Sequence, residues 1–173
     1  MREKATHVLR RHQVVPGTLD AVFAFFENPA NLEVITPPWL RFEILDSTDA
    51  TMRVGTEISY RLRWQRLPIG WRTRIAECEP GVMFADEMTR GPYARWYHRH
   101  FFASVPDGVE VVDVVEYELP FGWLGRWVHT ALIRAQLEAI FDHRRDAVAG
   151  IFRNARAGHR RHPGGGPRLL ETS

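Results

Sequence analysis

Between Thr56 and Trp64 apolar and polar residues alternate: Ile58, Tyr60, Leu62 and Trp64 oppose Glu57, Ser59, Arg61 and Arg63. Period two predicts a strand with one face buried. From Gly122 to Phe152 the period lengthens to that of an α-helix. Ile133, Leu137, Ile140, Phe141, Val148, Ile151 and Phe152 fall on one broad stripe. Leu124, Val128, Ala131 and Ala135 form a second, narrower stripe on the opposite side, so the first half of this helix is expected to be sandwiched. Glu138, Asp142 and Asp146 replace that stripe further on, and the C-terminal half is expected to have a wet face.

The remaining segments follow the same two periods. Thr6 to Val15 predicts a strand ending at Pro16-Gly17. Thr18 then caps a short helix carrying Leu19, Val22, Phe23 and Phe26. Asn28-Pro29 reads as a second cap with proline at the first helical position, and this helix ends before Thr36-Pro37-Pro38, with Leu32 and Ile35 as its apolar underside. Strands are predicted at Leu40 to Asp46, Thr56 to Trp64, Trp71 to Glu79, Met83 to Thr89, Ala94 to Val105 and Val109 to Leu119. Leu67 to Gly70 is expected to be a loop, Pro80-Gly81 a type II turn, and Pro106-Asp107-Gly108 the tip of a hairpin.

One strand, two brief helices, six strands and a long helix make an α+β domain with an antiparallel, strongly bent sheet curled around the last helix, leaving a cavity between them. Residues 1–155 are read as that single domain. Residues 156–173, basic and then Pro163-Gly164-Gly165-Gly166-Pro167, are read as a flexible tail.

Charge narrows the possible partners. The pI is near 9.0, yet residues 1–152 hold 18 basic and 20 acidic side chains, and the excess of arginine lies in the tail. A nucleic-acid-binding face would need a basic stripe in the body, so no nucleic acid partner is expected. The tail remains a candidate contact for a protein partner. All but one of the 23 basic residues are arginine, which points to a GC-rich bacterial source. The single cysteine, Cys78, excludes an intramolecular disulfide and reads as a small core hydrophobe. Neither a signal-peptide core nor an 18-residue apolar run is present, so a cytoplasmic protein without a membrane span is expected.

The polar residues that carry chemistry cluster on a few strands. Trp96, His98, His100 and Phe102 are alternate residues on one strand face, and the two histidines stand about 7 Å apart at Cα. Zinc would need further donors; Asp86, Asp113 and His7 are expected only at a distance, so neither metal nor cofactor is assigned. Asp86, on the neighbouring strand, is a candidate acid/base partner for His98 or His100. The plainer reading is a carboxylate that fixes a buried imidazole's tautomer. Asp113 and Tyr117 share a face of the last strand, and Tyr60, Trp64 and Trp71 read as pocket wall or core. Arg144 interrupts the apolar stripe of the long helix and is expected to pair with a carboxylate or to reach past the helix end.

The run Asn31-Leu32 through Ile35-Thr36-Pro37-Pro38 belongs to a recognisable pattern. So do Gly91-Pro92-Tyr93 followed by Trp96, His98, His100 and Phe102, and Asp113 through Tyr117 to Pro120-Phe121-Gly122. Together they resemble the START/Bet v 1-like (SRPBCC) superfamily, in its bacterial branch of polyketide cyclase/dehydrase and coenzyme Q-binding proteins. The resemblance spans Thr6 to Phe152. It implies a helix-grip fold, a curved seven-stranded antiparallel sheet around a long C-terminal helix and a deep apolar cavity. It does not imply one activity, because lipid carriers, quinone binders, cyclases and partner-binding modules share this fold. A hydrophobic ligand (lipid, isoprenoid quinone or polyketide-like) is therefore expected to meet Tyr60, Trp71, Asp86, Trp96, His98 and His100. Phe102, Asp113 and Tyr117 on the strands, and Ile133 and Leu137 on the helix, are expected to complete that lining.

Overall fold

The computed structural model describes residues 6–64, 66–120 and 126–160, the stretches 126–131 and 156–160 by their backbone alone. The chain runs β1 (His7–Val15), α1 (Leu19–Glu27), α2 (Asn31–Ile35), a 3-10 turn (Pro38–Leu40), β2 (Glu43–Ser47), β3 (Glu57–Trp64), β4 (Leu67–Glu79), β5 (Met83–Arg90), β6 (Arg95–Val105), β7 (Gly108–Glu118) and α3 (Arg126–Arg160). All seven strands pair antiparallel in the order β1-β7-β6-β5-β4-β3-β2. This is the helix-grip fold expected from the sequence, a seven-stranded sheet with two short helices after the first strand and a long C-terminal helix. Pairing shifts between Ile44 and Asp46, between Arg72 and Thr73, and between Ile75 and Glu77 mark irregularities of the kind that bend strands.

Local chemistry accounts for the element ends. Thr18 Oγ1 accepts the Ala21 N–H at 3.3 Å and starts α1. Gly81 takes φ +75°, as the Pro80-Gly81 turn requires. At the β6–β7 hairpin Gly108 has φ +146°, and a Cβ there would lie 2.2 Å from the Val15 carbonyl oxygen.

Four boundaries differ from the sequence reading. Leu67 to Gly70 is strand, paired with Trp64 to Arg61, because β4 turns directly back along β3. Pro68 is tolerated because this end of β4 outruns β5, whose pairing begins only at Arg72. Asn28 does not cap α2: its Oδ1 accepts the Ala30 N–H at 3.0 Å in a turn that precedes the helix, which starts at Asn31. Leu40 to Phe42 lies outside β2, with Arg41 at φ +45° closing the 3-10 turn. Helix α3 runs on to Arg160, past Phe152 and into the expected tail. The proposed start at Gly122 and the rest of the tail, 161–173, lie outside the described residues.

Two cores clamp α3. Val148 packs with Val15, Val22, Phe23, Phe26 and Phe102 at one end, and Leu137 and Phe141 pack with Leu9, Val115 and Tyr117 at the other. Glu138, Asp142 and Asp146 lie on the wet side, where Arg134, Arg145 and Arg11 meet them. Of the second apolar stripe, Ala135 is exposed, and Leu124, Val128 and Ala131 have no described side chains. Cys78 donates to the Met52 carbonyl at 3.4 Å, and burial pushes its thiol pKa up, as suits a packing residue. No described helix is long and apolar enough to cross a membrane.

Phe23 makes edge contacts with the rings of Phe84 and Phe102 and is 5% exposed. Phe23→Ala is expected to cost about 3–5 kcal/mol in urea denaturation, against under about 0.5 kcal/mol for Val54→Ala on the surface.

Candidate functional site

Between the concave face of the sheet and α3 lies a cavity of about 970 Å³. Ile58, Tyr60, Leu62 and Trp64 of β3, Trp71, Thr73 and Ile75 of β4, and Trp96, His98 and His100 of β6 face it. These are the inward residues of the alternating strands. On the opposite wall stand Ile133, Gln136, Leu137, Ile140, Phe141 and Arg144 of α3, one helical face. The lining is predominantly apolar and aromatic, with few convergent polar groups, the usual character of a small-molecule site. Tyr60 stacks on Trp71 at 5.8 Å, and Trp96 meets Trp71 edge-on at 5.2 Å. The Trp64 indole N–H donates to Gln136 Oε1, linking the end of β3 to α3.

Eight of the eleven expected ligand-facing residues therefore line the cavity: Tyr60, Trp71, Asp86, Trp96, His98, His100, Ile133 and Leu137. The other three do not. Phe102 is packed among Phe23, Phe26 and Phe84. Tyr117 is covered by His7, Tyr93 and Trp96. Asp113 lies behind the histidines.

Strand register assembles the polar cluster. Asp86 on β5 pairs with His98, and His100 pairs with Asp113 on β7, so two carboxylates flank two imidazoles on adjacent strands. Asp86 thus lies across from His98, as its reading as an acid/base partner expects, and both it and Asp113 stand nearer the histidines than the metal reading allows, while His7 lies against Tyr117. His98 Nε2 is 3.0 Å from Asp113 Oδ1, and His100 Nδ1 is 2.8 Å from the same oxygen, although its N–H is not aligned as a hydrogen bond. On the cavity side Asp86 Oδ2 is 3.5 Å from His98 Nδ1 and 3.4 Å from His100 Nε2. The Thr73 hydroxyl bridges the other Asp86 oxygen, at 3.1 Å, and the Glu87 carbonyl. The imidazole rings lie 3.8 Å apart, and His100 stacks on Phe84 at 4.3 Å.

Burial sets the electrostatics. It works against the charge of Asp113, but the close approach of His100, the hydrogen bond of His98 and nearby Arg144 hold this carboxyl well below its usual range. Burial opposes Asp86 too, and His100, His98 and Thr73 outweigh it, so its pKa is lowered. Burial and repulsion from His100 depress His98 against the pull of Asp113 and Asp86, favouring neutral imidazole. Both carboxylates only accept, and the proton of neutral His98 sits on Nε2, 3.0 Å from Asp113, because Nδ1 stands 3.5 Å from Asp86.

The patterns of β3 and β6 reveal the pocket wall; the functional residues they miss are Thr73 and Arg144. Thr73 is visible only as an inward position of β4. Arg144, expected in an ion pair, has no carboxylate within salt-bridge distance among the described residues. Its guanidinium lies over the rings of Phe26 at 5.4 Å and Phe141 at 6.0 Å, and its Nε has no hydrogen-bond partner there. Burial, with a contribution from Asp86, raises the Tyr60 pKa well above its usual value, so its hydroxyl stays protonated.

Residues 15–148 match the sequence profile of a family described as polyketide cyclase/dehydrase and lipid transport. No curated protein matches the chain. Among solved structures, a Chromobacterium violaceum protein superposes with TM-score 0.66 and 15% identity, covering 84% of this chain and 97% of its own. Major latex-like protein 151 of Panax ginseng gives 0.64 and 10%, covering 85% and 97%. Norcoclaurine synthase of Thalictrum flavum, in complex with dopamine and hydroxybenzaldehyde, gives 0.62 and 15%, covering 86% and 87%. These likenesses establish the shared fold.

Asp113→Ala removes the shared acceptor behind both imidazoles and is expected to cost about 3–5 kcal/mol of unfolding free energy. Thr73→Val removes one hydrogen bond to a carboxylate and is expected to cost roughly 1.5–3 kcal/mol. Chemical denaturation of the two variants checks both.

Proposed function

Since the chain belongs to the polyketide cyclase/dehydrase and lipid transport family, within the START/Bet v 1-like superfamily, we propose that it binds a hydrophobic small molecule in its internal cavity, as a carrier or sensor. The observation that carries this reading is the 970 Å³ space walled by aromatic and aliphatic side chains, with its polar groups gathered at one cluster. Affinity then comes mainly from apolar area removed from water, at about 25 cal/mol per Å². Asp86, His98, His100 and the Tyr60 hydroxyl select the orientation of a ligand with one oxygen-bearing end. A lipid, an isoprenoid quinone or a polyketide-like compound meets that description.

A second reading is favoured by the cluster itself: a cyclase or dehydratase in which Asp86 with His98 or His100 moves protons at a carbonyl. Neutral His98, with a lone pair turned toward the cavity side, has the form a general base needs. The two readings separate on His98→Gln and His100→Gln. A carrier loses affinity or selectivity, whereas an enzyme loses turnover while still binding.

Native mass spectrometry of protein purified from its own host, followed by organic extraction, is expected to reveal one hydrophobic passenger per chain. Thermal shifts with a panel of fatty acids, quinones and aromatic polyketides extend the test, and a cavity that takes none of them overturns the reading. Ile133→Trp places an indole in the space and is expected to weaken binding at least tenfold, about 1.4 kcal/mol, in a fluorescence titration with the best compound of that panel.

A further inference from the structure

We propose that Asp86, His98 and His100 form the protein face of a divalent transition-metal site opening into the cavity, with Asp113 orienting both histidines from behind. The proposal does not depend on which organic compound the cavity takes.

The three donors converge. One ligand atom from each of Asp86, His98 and His100 lies within 4.8 Å of the others. The two edges to Asp86 Oδ2, 3.5 Å from His98 Nδ1 and 3.4 Å from His100 Nε2, are long for N–H···O hydrogen bonds, which cluster at about 2.7–3.2 Å. They match the separation of two ligands that each stand roughly 2.0–2.2 Å from a tetrahedral ion, about 3.3–3.6 Å.

The outer nitrogens make the same point. His98 Nε2 and His100 Nδ1 both lie against Asp113 Oδ1, at 3.0 and 2.8 Å. Asp113 thus backs the outer edge of each ring, and the opposite edges, His98 Nδ1 and His100 Nε2, are turned toward Asp86 Oδ2 and the cavity. A cation held there would meet two ring nitrogens and one carboxylate oxygen. A carboxylate holding the far nitrogen of a ligating histidine is also the usual outer shell of such sites.

Two imidazoles and one carboxylate suit zinc or iron(II), and three protein ligands leave coordination positions free. Those positions face the cavity, since Asp86, His98 and His100 line it and Asp113 does not. Water or the oxygen-bearing end of a ligand would fill them. The competing arrangement is a doubly protonated histidine pair with no affinity for metal.

Titration of the full-length protein with Co²⁺ alone, followed in the visible spectrum and with Zn²⁺ competition, decides between them. Expected are one ion per chain, a loss of at least roughly tenfold in affinity for Asp86→Asn, and a loss of roughly 10–100-fold for Asp113→Asn. X-ray absorption of the cobalt-loaded wild type is expected to show two imidazoles around the ion, a readout that needs no variant to fold. Substoichiometric binding, an affinity unchanged in Asp86→Asn, or a first shell without imidazole overturns the proposal.

Discussion

Two carboxylates and two imidazoles sit in the interior of a small domain, and a fold that buries them must supply each with a partner. Asp113 is the member on which the others depend, because one of its oxygens lies against both histidines. That contact turns the opposite edge of each ring toward Asp86 and the cavity. The antiparallel register of β5, β6 and β7 sets these distances, and a one-residue slip of either pairing would send a carboxylate to the outer face. Aromatic rings pack around the cluster, with Phe84 stacked on His100 and Phe141 edge-on to His98.

The cavity follows from how α3 is held. Its stripe meets well-packed cores at Val148 and at Leu137 and Phe141, while Ile133, Gln136, Ile140 and Arg144 look onto open space. A helix gripped in this way leaves a gap between its middle and the concave face of the sheet. The polar cluster then serves as the one place where an otherwise apolar guest finds direction. Arg144, on the helix wall of the cavity and lying over Phe26 and Phe141, adds a positive charge that balances part of the cluster's negative charge.

Much of this was legible from periodicity. Ile58, Tyr60, Leu62 and Trp64 alternate so regularly that their sharing of one face needed no structure, and Trp96, His98 and His100 marked a polar patch on one strand face, which the structure turns inward. The seven strands, two short helices and long helix followed from turn residues and period alone. The order of strands set Asp86 beside the histidines; what one sequence cannot carry is the register that chooses His98 for Asp86 and sets Asp113 against His100. Tertiary context also overrode local signals. Pro68 and Gly70 look like a loop but sit in a strand margin paired with β3 and without β5 on the other side, and Phe102 and Tyr117, inward by parity, are covered by other rings before they reach the cavity. Arg144 invited an ion pair because an unpaired cation in an apolar stripe is costly, and aromatic faces took that role instead.

The central claim, that Asp113 holds the proton-bearing Nε2 of His98 while its Nδ1 faces Asp86, is tested most directly by nitrogen NMR of the imidazoles in uniformly ¹⁵N-labelled, metal-free protein near neutral pH. The account predicts for His98 a protonated Nε2 and a bare Nδ1. A bare Nε2 on His98, with the proton on the nitrogen that faces Asp86, would contradict it.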